Sequence, residues 1–354
     1  MNLKVLILPG DGIGEEVTRE AVRVLGRVAE KFGHTLDLSE GLLGGVAIHK
    51  TGLPLPQETA EKAMAADATL MGAVGAPEFD NAPPEQRPEK GLLGIRKLLE
   101  VYANLRPVRA YKALLDSSPL KNDRVDGTDM IIVRELTGGL YYGTPRGISG
   151  SGAAEHAVNT MAYSRPEIER IARMAFRLAS KRRRKVSSID KSNVLECSQL
   201  WRRVVVDVAR EFPGIELEHV LVDNCAMQLV LNPRQFDVVL TENMFGDILS
   251  DEGAVLAGSI GMLPSASVGE KKGLYEPVHG SAPDIAGQNR ANPLGAIGSV
   301  AAMLEYTFSL KIEADAVNAA IEKVLESGQV TADLRPKGKP ATTEEVGKAV
   351  CECL

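Results

Sequence analysis

LKVLILPGDGIGEE, residues 3–16, sets a buried strand against the start of a helix with only a turn between them. The run Leu3–Leu8 is almost continuously apolar and ends in Pro-Gly-Asp-Gly, the pattern of a strand covered on both faces. Beyond it, residues 15–31 space Val17, Ala21, Val24, Leu25 and Val28 at helical intervals. A strand, tight turn and helix at the start of a chain point to α/β architecture. The turn also resembles a dinucleotide fingerprint, which requires G-x-G-x-x-G after a strand. Gly10 and Gly12 satisfy it, but the sixth position is Glu15. A glutamate there forfeits the close helix–strand approach a glycine permits and sets a negative charge near any pyrophosphate. The stretch therefore predicts a tight strand-to-helix turn and argues against Rossmann-type binding through this loop.

The same alternation continues downstream. Strand-type runs occur at 67–75, 103–111, 130–135, 185–190 and 236–241, with helical periodicity at 165–182, 196–210 and 243–257. The expected fold is α/β, a sheet flanked by helices. The Gly-rich segment 138–152, GGLYYGTPRGISGSG, combines turn and β-type residues and suggests a projecting hairpin. No internal repeat or low-complexity linker is present.

At 354 residues, 44% hydrophobic and 25% charged, the chain has globular composition and the length of about two domains. Its formal net charge of −6 argues against nucleic acid as a partner. The basic run KRRRK at 181–185 follows an apolar-periodic stretch and reads as the solvated end of a helix, where cations suit the dipole. The four cysteines, Cys197, Cys225, Cys351 and Cys353, show neither CxxC pairing nor zinc-finger spacing, which predicts reduced thiols. No apolar stretch approaches the ~18 residues of a membrane span. A cytoplasmic protein with no membrane or nucleic-acid partner is the expectation.

TENMFGDILSD, residues 241–251, carries Asp247 and Asp251 four positions apart on a helix-forming stretch. Like charges at that spacing repel unless they form a solvated face or share a cation. Asp223 ends another strand-like run, in VDNCAMQLV, and could supply a third oxygen ligand. Lys191, in IDKSNVLE, follows a strand directly; such a lysine is ordinarily a loop cation, but beside a bound cation it can act as a base. Arg96, Arg106 and Arg134 lie in or beside strand-like apolar runs and could pair bidentately with a small dicarboxylate. HGSAPDIAGQNRANP, residues 279–293, is either a long loop or a nucleotide wrap whose small residues expose backbone N–H groups.

In order along the chain, GDGIG, TGGLYYGTPRG, DKSNVLE, ENMFGDILSD and HGSAPDIAG together resemble the β-decarboxylating dehydrogenases that act on isopropylmalate and isocitrate. The resemblance runs from near residue 10 to TADL near residue 331. It implies a two-domain α/β fold that is not a Rossmann fold. A cofactor-side domain would combine residues 1–98 and 256–354. A central domain, 99–255, would carry substrate, metal and dimer contacts, with a β arm near 138–162. It implies a homodimer with shared active sites. It also implies NAD and Mg²⁺ or Mn²⁺ as cofactors, and oxidative decarboxylation of a substituted malate.

Residue by residue, the resemblance makes Tyr141 and Lys191 the acid–base pair. Arg96, Arg106, Arg134 and Asp223 become substrate contacts, and Asp223, Asp247 and Asp251 the metal carboxylates. Lys191 and Asp223 would come from the partner subunit. Leu92 and Leu93 match the pocket for the malate's third substituent and suit an isopropyl group better than a third carboxylate. Ala76, Glu89, His279, Gly280, Ser281, Ala282, Pro283, Asp284, Ile285, Ala286, Gly287 and Asn292 match the cofactor contacts, with His279 against the base and Asp284 on the ribose. The chain departs from the usual pattern at Glu15, Glu78 and Phe79, the last two in a segment that helps hold the cofactor. The competing readings are a relative acting on isocitrate, homoisocitrate or tartrate, and a non-catalytic regulatory subunit. The second would predict losses among the matched catalytic positions, and there are none.

Overall fold

The computed structural model describes all 354 residues. Along the chain the strands are β1 (Asn2–Gly10), β2 (Thr35–Glu40), β3 (Ala68–Ala73), β4 (Ala103–Arg109), β5 (Asp129–Glu135), β6 (Arg146–Ser149), β7 (His156–Asn159), β8 (Lys185–Asp190), β9 (Glu216–Leu221), β10 (Val238–Thr241), β11 (Pro264–Val268) and β12 (Gly273–Pro277). The helices are α1 (Gly14–Phe32), α2 (Gly45–Thr51), α3 (Gln57–Ala65), α4 (Pro88–Leu98), α5 (Asn122–Val125), α6 (Arg165–Ser180), α7 (Glu196–Ala209), α8 (Val222–Leu231), α9 (Asn243–Leu256), α10 (Leu294–Tyr306), α11 (Lys311–Ser327) and α12 (Thr343–Cys353). The residues group into two compact units.

The first unit comprises Met1–Val101, Ala110–Lys121 and Ala254–Leu354. Its strands run in the order β2-β1-β3-β12-β11, parallel except for the antiparallel β11–β12 pair. Leu3, Val5, Leu6 and Leu8 of β1 are buried, and Val17, Ala21, Val24, Leu25 and Val28 of α1 pack against the sheet with no exposed surface. Each valine or leucine among them contributes roughly 1.5–3 kcal/mol of burial. Helix α10 is apolar all round because α1, α11 and the sheet surround it. Strand β1 is flanked by β2 on one side and β3 on the other, so the chain reverses its direction of advance there. In parallel sheets such a switch point opens a crevice beyond the strands' carboxyl ends.

The second unit comprises Tyr102–Arg109 and Asn122–Gly253. Its strand order is β4-β5-β10-β8-β9, with only β4–β5 antiparallel. Helices α6 and α7 cover this sheet through Ile168, Ile171, Phe176, Trp201 and Val204, all fully buried. Ser164 and Glu167 form a capping box at the start of α6. Strands β6 and β7 pair as an antiparallel hairpin with every residue exposed.

The basic run 181–185 follows the end of α6 as expected, with Lys181, Arg183 and Arg184 exposed, and two of its arginines have a further role. Helix α6 stops at Ser180, and Arg182 and Arg183 also tie the ends of neighbouring strands together. Arg182 Nε donates to the buried Asp237 carboxylate at 2.8 Å and its Nη2 to Asp129 at 2.8 Å. Arg183 donates to the backbone carbonyls of Asp129 and Phe236. The buried Asp237 carboxylate claims a cation that the sequence alone leaves to water.

Candidate active site

The second unit gathers five of the expected residues around α9. Arg106 lies on β4 and Arg134 on β5, both with less than a tenth of their surface exposed. Strand pairing sets Arg106 opposite Ile132 and Asn104 opposite Arg134, which keeps the two arginines close along the sheet. Asp247 accepts from Arg134 Nη1 and, at 2.8 Å, from the Tyr141 hydroxyl; Arg106 Nη2 lies 3.6 Å away. Arg106 Nη1 reaches Asp251 at 3.3 Å and the Ser250 hydroxyl at 2.5 Å, and its Nε donates to Asn104 Oδ1 at 2.8 Å. The i,i+4 pair Asp247–Asp251 thus faces two cations on one side, while Asp251 keeps most of its side chain in solvent.

These contacts set the protonation states. Tyr141 is held above its ordinary value, first by burial and then by its hydrogen bond to Asp247, so its hydroxyl keeps the proton at neutral pH. Partial burial also pushes Asp251 up; Arg106 opposes the shift and Asp247 adds to it. Two carboxylates one turn apart, one of them raised, are a donor set that a divalent cation would stabilise in its charged form. The residues therefore fit a hard cation, with Asp247 and Asp251 as its oxygen ligands from this helix.

Lys191 and Asp223 stand apart from that cluster. Lys191 Nζ donates to Asp223 Oδ1 at 2.7 Å, and this bond holds the Asp223 carboxyl below its usual range. Asp223 opens α8 with 63% of its side chain exposed. Within one chain no group of three or more His, Cys, Asp or Glu residues gathers at metal-binding distance.

Arg96 corrects one expectation: it sits on helix α4, not beside a strand. Its Nη2 donates to Glu276 on β12 at 2.7 Å. Leu92 and Leu93, four and three residues before it, share its helix face and are half-buried.

At the switch point of the first unit, Asp11 organises the loops. Its buried carboxylate accepts from Gly45, Val46 and Gly75 backbone N–H groups at 2.8–2.9 Å. A Cβ on Gly14 would lie 2.2 Å from the Pro9 carbonyl oxygen. The close approach of helix to strand thus falls on Gly14, one position before Glu15. The loop 279–287 lies on this turn: Ile13 N–H donates to the Ser281 carbonyl at 2.8 Å, and a Cβ on Gly12 would meet that oxygen at 2.0 Å. Glu16 accepts from the Gly287 N–H. Gly75 borders both Ser281 and Glu89.

His279 is buried and donates from Nδ1 to the Gly280 carbonyl at 2.9 Å, which leaves Nε2 an acceptor with no partner. Burial lowers its pKa, so the ring is neutral. Ala282, Ile285 and Ala286 are half-buried, while Gly280, Pro283 and Asp284 are exposed. Asn292 is buried, its amide shared between Asp333 and Leu294 N–H. A glycine-lined cradle with an orphaned acceptor and an exposed carboxylate fits a dinucleotide. Glu78 and Phe79 both engage His49, by a 2.8 Å hydrogen bond and a tilted ring contact.

Sequence reasoning missed the residues that brace the site, Asn104, Asn243, Ser250 and Asp11. The available signal is their setting: polar residues directly within or after buried apolar runs.

Glu242, which precedes α9, is buried, and its carboxyl is pushed up to about 7 by burial, opposed by the Ser198 hydroxyl donating at 2.5 Å. The folded protein therefore binds more protons than the unfolded chain between the ordinary value of 4.5 and about 7. Stability falls as pH rises through that window. Glu242→Gln keeps the acceptor for Ser198 and removes the buried charge. Its thermal midpoint is expected to exceed the unmodified protein's at pH 8, by on the order of 1–3 kcal/mol in stability, and to match it at pH 5. Equal midpoints at pH 8 would show that the carboxylate is not strained.

A profile of the isocitrate/isopropylmalate dehydrogenase family matches residues 4–350. A 3-isopropylmalate dehydrogenase of Halalkalibacterium halodurans is 54% identical over 356 residues, covering 100% of this chain and 98% of that protein. One from Geobacillus kaustophilus is 57% identical over 338 residues, covering 95% and 91%. Among solved structures, isocitrate dehydrogenase from Methylococcus capsulatus is 33% identical with a TM-score of 0.89, covering 99% of each chain. The chain belongs to the isocitrate/isopropylmalate dehydrogenase family.

Proposed function

We propose that this chain catalyses the NAD-dependent oxidative decarboxylation of 3-isopropylmalate to 4-methyl-2-oxopentanoate and CO₂, a step of leucine biosynthesis. The observation that carries the reading is the cluster of Arg106, Arg134, Tyr141, Asp247 and Asp251, in a chain more than half identical to proteins named for that activity. When bound, Mg²⁺ or Mn²⁺ polarises the substrate's hydroxyl and adjacent carboxylate, and NAD accepts the hydride.

The chain's own residues do the rest. Arg106 and Arg134 bind malate carboxylate, since guanidinium forks pair with it bidentately. Arg96, with Leu92 and Leu93 on the same helix face, offers a cation beside apolar side chains, a match for a carboxylate that carries an alkyl group. Lys191 takes the C2 hydroxyl proton as hydride leaves that carbon. The resulting β-keto acid loses CO₂, and Tyr141, held protonated by burial and Asp247, protonates the enolate carbon.

Asp223, Asp247 and Asp251 hold the divalent cation, with Lys191 and Asp223 presented to the site of a second copy of the chain. A homodimer is supported by α8 and α9, which leave Met227, Leu231 and Ile248 more than half exposed beside these acidic residues. The loop 279–287 with Ala76, Glu89 and Asn292 holds NAD, and the unpaired Asp284 carboxylate accepts from ribose hydroxyls while repelling a 2′-phosphate. No helix is long and apolar enough to cross a membrane.

The test is NADH or NADPH formation with 3-isopropylmalate, isocitrate and D-malate in parallel. 3-Isopropylmalate with NAD is expected to give the highest kcat/KM, exceeding isocitrate by ~10-fold or more, because a third carboxylate would be desolvated against Leu92 and Leu93. Equal turnover of isocitrate would overturn the substrate assignment. A preference for NADP would overturn the role given to Asp284.

A further inference from the structure

Asn243 opens α9 with 1% of its surface exposed, and its amide is spent on two elements of the site at once. Oδ1 accepts from Arg134 Nε at 3.0 Å and from Nη2 at 2.8 Å. Nδ2 donates to the Gly138 carbonyl at 3.1 Å, and the backbone N–H donates to the Tyr163 hydroxyl at 2.9 Å. Gly138 begins the short turn Gly139–Tyr141 that carries Tyr141.

Tyr163 grips the same turn from beneath. A Cβ on Gly138 would lie 2.7 Å from its ring, and one on Gly139, at φ +76°, 2.4 Å from its hydroxyl. Gly139 N–H bonds the Ala162 carbonyl at 3.0 Å, and Gly138 N–H bonds the buried Glu135 carboxylate at 2.8 Å. With Nε and Nη2 held by one oxygen, the guanidinium turns its Nη1 toward Asp247, which also receives the Tyr141 hydroxyl.

We infer that Asn243 is a positioning residue that couples the aim of Arg134 to the placement of Tyr141, an inference that rests on the function proposed above. The chemistry of the amide matters as much as its place. A carboxylate at this position would neutralise the guanidinium and weaken its hold on an anion; the amide oxygen orients Arg134 and leaves its charge available. A carboxylate would also lose the Nδ2 donor and set two oxygens against each other at Gly138. Misplacement of reacting groups by about 1 Å costs up to ~100-fold in rate, so the arrangement has measurable leverage.

Two variants separate this role from simple packing. Asn243→Asp keeps the volume and is expected to raise KM for 3-isopropylmalate by ~10-fold or more through loss of effective charge on Arg134, and to lower kcat as well. Asn243→Ala is expected to lower kcat by a similar ~10-fold or more as the Tyr141 turn loosens. Crystal structures of both should show the Tyr141 hydroxyl or the Arg134 Nη1 withdrawn from Asp247.

Variants whose kcat and KM match the unmodified enzyme, or that lose only thermal stability, would overturn the inference. So would structures with Arg134 and Tyr141 unmoved. If Asn243→Ala does not fold, Asn243→Asp decides by the same measurements. If the unmodified protein fails to oxidise 3-isopropylmalate, the functional reading falls, and the crystal structures still decide whether Asn243 places both groups.

Discussion

Asp247→Asn is expected to lower kcat by at least ~100-fold, equivalent to ~2.7 kcal/mol of barrier. Two donors, Arg134 and Tyr141, bond this carboxylate, and Arg106 forms an ion pair with it at 3.6 Å. An amide of the same shape removes the charge that balances two guanidinium groups, and its NH₂ would face donors. Two roles would produce such a loss: holding the arginines in place, or binding the divalent cation. They part on metal titration. If Asp247 is a cation ligand, the variant's activity should rise with Mg²⁺ far above the concentration that saturates the unmodified enzyme. If it only braces the arginines, the metal dependence should stay where it was. Full activity of the unmodified enzyme in EDTA, or a variant of normal turnover, would remove the metal from the account.

The strands that could be read from sequence are those whose own residues carry the signal. The apolar run of β1 and the β-branched runs of β5, β8 and β10 mark themselves. Strand β2, TLDLSE, is an edge strand with polar residues at alternate positions. Strand β11, PSASV, is buried by its neighbours rather than by large side chains. Helix α10 lacks an amphipathic stripe because it is covered on all sides, so periodicity has nothing to report.

The site divides in the same way. Charged residues at a helical spacing, such as Asp247 and Asp251, announce a face. What that face meets depends on strands β4 and β5, more than a hundred residues earlier in the chain. Asn243 and Asp11 carry little sequence signal because a short polar residue beside a turn is ordinarily only a cap, and its burial is a property of the tertiary structure. Arg96 reads from sequence as strand-adjacent because its apolar neighbours do not distinguish helix from strand over so short a run.

Lys191→Ala and Arg106→Ala proteins, each expected to be nearly inactive alone, should recover activity when mixed, dissociated and reassociated. Lys191 keeps company with Asp223 on the strand-to-helix turns near β8 and α8, whereas Arg106 belongs to the Asp247–Asp251 cluster on α9. If the first pair serves the site of a second copy, a heterodimer holds one site with both lesions and one with neither. Random pairing makes half the dimers mixed, each with one intact site, so the mixture should reach about one quarter of unmodified activity. The mechanism also predicts which pairs fail. Lys191→Ala with Asp223→Asn should not recover, because any one site borrows both residues from the same partner chain; in a mixed dimer each chain then passes one lesion to the other's site, and both sites are damaged. Recovery with Arg106→Ala but not with Asp223→Asn would mark the division of labour between the two chains. No recovery in proven heterodimers of the first pair would mean that each chain builds its site alone, and Lys191 would then need a partner other than the α9 cluster of a second copy.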